Sequence, residues 1–173
     1  MDVSSVQKIA RVLKCLVTVT FVCNLAALPL VPVLARQKYV DLRLYQELLW
    51  DRSLVWQDTR AVVLIGFLWF CGCCTAVILW QARQVLNSIL TGRPFCGENA
   101  RSLRRAALCG FLIAAGAFGR MVFSICFYDS FRPILTYNAL FVPIFAVFGL
   151  LCLIMSALFR QAAEIKTEND LTI

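Results

Sequence analysis

The chain has 173 residues and a mass of 19.5 kDa, with 61% hydrophobic residues and only 16% charged ones. Its mean hydropathy of +0.77 is more apolar character than a soluble globule of this size can bury, and it excludes a disordered chain for the same reason. The net charge of +7 comes with no soluble basic domain, so composition points to an integral membrane protein of one domain and away from direct nucleic-acid binding.

A helix needs about 20 apolar residues to cross roughly 30 Å of hydrocarbon. The first such run is Cys15–Ala35, 21 residues between Lys14 and Arg36, and it predicts a span over about 12–35. Lys8, Arg11 and Lys14 followed by Leu16–Leu28 and Val33-Leu34-Ala35 also resemble a secretory signal. The length of the run and the breaks at Pro29 and Pro32 favour a retained span. Residues 36–60 read as an outer loop, in which Tyr39–Trp50 predicts a short helix on the membrane surface.

The second run is Ala61–Ala82, 22 residues, and predicts a span over 61–82. Most of the nine cysteines lie in the spans, and none lies in the outer loop, so no external disulfide framework is expected. Cys71 and Cys74 share one helix face and are candidate metal or redox ligands. Without histidine or a second cysteine pair to complete a site, soft packing residues are the favoured reading, and no cofactor is expected.

Residues 83–105 predict a helical hairpin between the second and third spans. Val85, Leu86, Ile89 and Leu90 continue the helix, Gly92 stops it, and Arg93-Pro94 turns the corner. Phe95 would plug that corner, Glu98 opens the next helix, and Leu103 carries its apolar stripe inward. The hairpin reads either as a rigid basic loop on the lipid headgroups or as a docking knob.

The third span is predicted over 106–128, interrupted by Arg120, and the fourth over 133–159, carrying Pro143. Arg120, with Asn24 and Asn138, is the polar content expected within the bilayer. Asp129 is the nearest acidic partner of Arg120 in sequence, and Thr136 adds to a possible cluster. An intramembrane arginine is read either as packing and anchoring or as a ligand or ion site. Ala106, Gly110 and Ala114 are spaced for close helix packing, and Ala115 with Gly119 form a neighbouring pair. The tail 160–173 begins as helix, and its end Leu171-Thr172-Ile173 reads as a short β-prone segment. With an even number of spans, ten basic residues fall on the side of the termini and six on the other, which predicts both termini in the cytosol.

The stretch Leu90-Thr91-Gly92-Arg93-Pro94-Phe95, with Glu98-Asn99 and Leu103-Arg104-Arg105, resembles the central motif of a family of small bacterial four-helix membrane proteins. The closing Glu168-Asn169-Asp170-Leu171-Thr172-Ile173 is similar to that family's end. The family is catalogued as domain of unknown function 2975. Cys96-Gly97 inside the motif and the cysteine-rich second span depart from it. Its members are often encoded beside a small helix-turn-helix regulator. The resemblance therefore implies a partner role in a bacterial cell membrane.

The expected fold is all-α, a polytopic bundle of four transmembrane helices with a cytosolic helical hairpin between helices 2 and 3. The leading functional reading is a non-enzymatic anchor or sensor for a cytosolic helix-turn-helix regulator. Gly92, Pro94, Phe95, Asn99, Arg104, Asp170, Leu171 and Ile173 are its candidate contact residues. A small channel or exporter component with Arg120 lining the path, as a homo-oligomer, is the alternative, and a thiol redox protein using Cys71 and Cys74 is a third. No carboxylate lies in a span and no histidine exists, which counts against proton-coupled transport and nucleophilic catalysis.

Overall fold

The computed structural model describes residues 3–33, 59–92, 95–128 and 138–171. They form four long helices: α1 (Val3–Ala27), α2 (Thr59–Leu90), α3 (Gly97–Tyr128) and α4 (Asn138–Leu171). Four stretches are apolar and long enough to cross a membrane: Gln7–Val33, which runs past the end of α1, Val62–Leu90, Gly97–Cys126 and Ala139–Glu168. The chain is a multi-pass membrane protein. The predicted outer loop, its surface helix Tyr39–Trp50, Pro94, Asp129, Thr136 and Ile173 lie outside the described residues.

The helices are longer than the apolar runs alone indicate. α1 begins at Val3 rather than near residue 12, because its basic first turns carry nothing that breaks a helix. Past Ala27 it tightens into a 3-10 turn, Leu28–Leu30. Pro32 has no N–H to return to the Leu28 carbonyl, so the Val31 N–H and the Trp69 indole of α2 reach that oxygen instead, the latter at 2.7 Å. α4 continues as helix through Leu171, the first residue of the predicted β-prone end, while Thr172 and Ile173 lie outside the described residues. Alanines, glutamates and an Arg160–Glu164 pair at 2.9 Å carry it outward. Pro143 lies within α4, in its second turn.

Consecutive helices pack antiparallel: α1 on α2, α2 on α3, α3 on α4. Among the described residues no other pair of long helices makes more than a marginal contact, so the order is serial rather than a closed ring of four. Residues 91–96 alone join α2 to α3, and a helix that turns back so soon lies beside its predecessor. The buried residues concentrate on α3: Ala106, Ala107, Ile113, Ala114 and Ala117 are almost without exposed surface. The predicted Ala106–Gly110–Ala114 stripe faces α4. A Cβ on Gly110 would stand 2.9 Å from Phe148 Cδ1 and 3.3 Å from the Phe145 carbonyl oxygen. α4 answers with Gly149, where a Cβ would meet the Phe111 ring at 3.0 Å. Each glycine thus receives a phenyl ring from the opposite helix, which brings the two backbones close. Ala115 and Gly119 face outward instead, and nothing lies within 4 Å of a Cβ placed on Gly119.

Lipid-facing hydroxyls are handled locally. Thr18, Thr20 and Thr75 each donate to the carbonyl four residues back, at 2.8, 2.9 and 2.8 Å, which pairs these donors within their own helix, and Thr167 does the same at 2.8 Å in the tail.

Candidate functional site

The turn between α2 and α3 is built as its residues dictate. Gly92 has φ +74°, the left-handed conformation that ends a helix and that side chains with a Cβ disfavour. The Thr91 N–H bonds the Asn87 carbonyl at 3.0 Å, and the Gly92 N–H bonds the Ile89 carbonyl at 3.2 Å. The Thr91 hydroxyl donates to the carbonyls of Asn87 and Ser88 at 3.2 and 3.0 Å, covering two of the last acceptors of α2. α3 starts with Glu98 in its first turn, an acid at the positive end of the helix dipole, and with the Asn99 N–H on the Cys96 carbonyl at 3.0 Å.

Behind this turn lies a layer of polar side chains tying all four helices together. The Lys14 Nζ of α1 donates to the Asn87 Oδ1 of α2 at 2.8 Å. The Ser102 hydroxyl of α3 donates to the Gln84 Oε1 of α2 at 3.3 Å. The Ser156 hydroxyl of α4 donates to the Ala100 carbonyl of α3 at 2.7 Å. Gln81, Asn99 and Ser102 are buried. Such side-chain bonds are directional, so they fix register where apolar contact alone would let helices slide.

The candidate contact residues separate on this scaffold. Phe95 is 51% exposed, and its ring rests on Phe159 of α4 with centroids 5.7 Å apart. It leans on the fourth helix instead of sealing the corner. Arg104 is exposed, beside Arg101 and Arg105. Asn99 is 1% exposed, which corrects its place among surface contacts: its side chain is spent inside the protein. Asp170 and Leu171 lie in the last turn of α4. The buried Gln81 and the bonded pair Gln84–Ser102 were missed by sequence reasoning. Their signal was polar residues on α2 and α3 at levels that an antiparallel pairing brings together.

Deeper in the membrane, the Arg120 guanidinium lies over the Phe67 ring of α2, 4.8 Å from its centroid, and its Nε is buried without a hydrogen-bond partner. The quadrupole of the ring supplies part of what water would have given the cation. Asn24 Oδ1 of α1 is likewise buried and unpaired, so it is not bonded to Arg120. Asn24 lies one turn before Leu28, which abuts Gly72, and thus more than a helical turn from the level of Phe67. Asn138 opens α4. Cys71 is half-buried, and Cys74 is buried with its thiol in contact with that of Cys109 of α3. Among the described residues no three His, Cys, Asp or Glu side chains converge as metal ligands would.

A family model described as a protein of unknown function, DUF2975, matches residues 36–173, a stretch that includes α2, α3 and α4. Neither the curated proteins nor the solved structures hold a match to the chain. The chain belongs to the DUF2975 family.

Proposed function

We propose that this DUF2975 member is a non-enzymatic membrane anchor or sensor. In this reading, residues 83–105 form a cytosolic helical hairpin, both termini lie in the cytosol of a bacterial cell, and the hairpin and tail hold a small helix-turn-helix regulator. The observation that carries the reading is the exposed Phe95 ring, held on Phe159 at the head of a layer of side-chain hydrogen bonds. A large apolar side chain outside the apolar runs, presented on a fixed backbone, suits a protein partner. Gly92 shapes the turn beneath it, and Asp170 and Leu171 extend the same end of the molecule. The residues that resemble the family motif lie at this end, and the regulator is what that resemblance implies.

The test is site-specific photocrosslinking in native membranes. A photoreactive phenylalanine analogue replaces Phe95 in one strain and the exposed Phe118 in another. A helix-turn-helix protein crosslinked from 95 and not from 118, and lost on removal of residues 168–173, supports the reading. Lipid adducts alone at both positions contradict it. Labelling of Cys96 by a membrane-impermeant maleimide tests the orientation: inside-out vesicles should react and right-side-out vesicles should not. Under the channel alternative, Arg120→Ala abolishes flux. The guanidinium's seat on Phe67 gives Arg120 a packing role that needs no path.

A further inference from the structure

Three arginines stand together on α3, and of these only Arg104 is among the candidate regulator contacts. Arg101, Arg104 and Arg105 lie on one helix face with Leu108 and Phe111, at spacings of three and four residues. Together with Leu153 of α4 they line a groove of about 410 Å³ between α3 and α4. That volume falls in the roughly 300–1,000 Å³ range of ligand sites. The lining changes character along its length. At the connection end it is cationic, and no carboxylate among the described residues is paired with any of the three guanidiniums. Toward the membrane interior it is apolar, with Leu108 and Leu153 open to an occupant. From Arg101 to Phe111 is ten residues, roughly 15 Å of helix at 1.5 Å per residue, with the arginines on its first half and Leu108 and Phe111 on its second, long enough to take a headgroup and the start of an acyl chain.

We propose that this groove is a specific site for an anionic phospholipid. The arginines hold the phosphodiester, and one acyl chain runs down Leu108, Phe111 and Leu153. The chemistry is that of a basic pocket between transmembrane helices. Guanidinium forks bind phosphate oxygens in pairs, and the apolar floor excludes the water that would compete. A free phosphate would use the cationic half and leave the apolar half empty. Neither Phe95 nor the tail takes part in the site; it shares Arg104 with the candidate regulator contacts, so lipid binding is measured on the chain alone, with no regulator present.

The test is native mass spectrometry of the full chain in detergent, titrated separately with phosphatidylglycerol, phosphatidylcholine of the same chains, and inorganic phosphate. The expected preference for phosphatidylglycerol over phosphatidylcholine is roughly 10- to 100-fold, from about one unit of headgroup attraction for each of three arginines. The triple variant R101Q/R104Q/R105Q should lose that preference. Leu153→Trp, which fills the apolar half with the charges intact, should weaken phosphatidylglycerol at least about fivefold. Arg160→Gln, outside the groove, should leave the preference in place, and circular dichroism shows whether each variant keeps its helices. Equal binding of the two lipids overturns the proposal. So does inorganic phosphate that binds as tightly as the lipid, or a Leu153→Trp variant that folds and binds phosphatidylglycerol undiminished.

Discussion

α1 and α3 are both long, apolar and helical, yet they live in different surroundings. α3 packs on two neighbours and holds most of the buried residues, while α1 leans on α2 alone and buries Ala10 and little else. Hydropathy would have ranked them the other way: α3 is the least hydropathic of the four spans. In a bilayer the large apolar side chains are content in lipid, so they carry no instruction to go inside. What places α3 at the centre is smallness and polarity. Its alanines and glycines admit neighbouring backbones, and Asn99 and Ser102 find bonds only inside. α1 offers Val12, Leu16, Val19 and Val22 to the outside, each more than half exposed.

The contrast can be broken deliberately. Gly149→Leu drives a side chain into the Phe111 ring at a seam closed from both sides, and should cost about 1–3 kcal/mol or unfold the α3–α4 pair, read by thermal denaturation in detergent. Asn99→Ala removes a buried amide from α3 and should cost about 1–3 kcal/mol in the same assay. Arg120→Met sets two effects against each other. The ring contact is worth up to about 2 kcal/mol, and the burial of a cation costs a comparable amount near the end of a span, so the net change should stay within about 1 kcal/mol. On the α1 side the effects shrink or reverse. Asn24→Leu discards a buried oxygen that has no partner, and should be neutral or stabilising by up to about 1 kcal/mol. Gly72→Ala meets only the tip of Leu28, at 2.6 Å, which can swing aside, so melting should barely move and the cost should be a few tenths of a kcal/mol.

Much of the fold was legible. Four apolar runs gave four helices, Gly92 ended α2, and Glu98 stood in the first turn of α3, because these signals are local and chemical. The Ala106–Gly110–Ala114 stripe was legible for the same reason. Its companion Ala115–Gly119 was not distinguishable from it in sequence, since only the placement of α2 and α4 decides which small face is covered. The site was read less completely. Arg104 and Phe95 lie at the surface, but Asn99 is inside, and a polar residue near a turn carries no mark of which way it faces. Gln81, Gln84 and the basic groove depend on the register between helices, which no single run encodes. The helical start of the tail was legible, and Arg160–Glu164 supports it, but its run on to Leu171 went unread because Glu168-Asn169-Asp170 looks like punctuation.

The most direct test of the claim that small residues on α3 select its neighbours is a matched pair of variants, Gly110→Leu and Gly119→Leu, compared by thermal unfolding in the same detergent. Both glycines lie on one helix, and both variants add the same side chain. Gly110 faces Phe148 at 2.9 Å and Gly119 faces open space. The account predicts that Gly110→Leu loses at least about 1 kcal/mol more than Gly119→Leu, which melts as the parent does. Equal destabilisation by the two would contradict it.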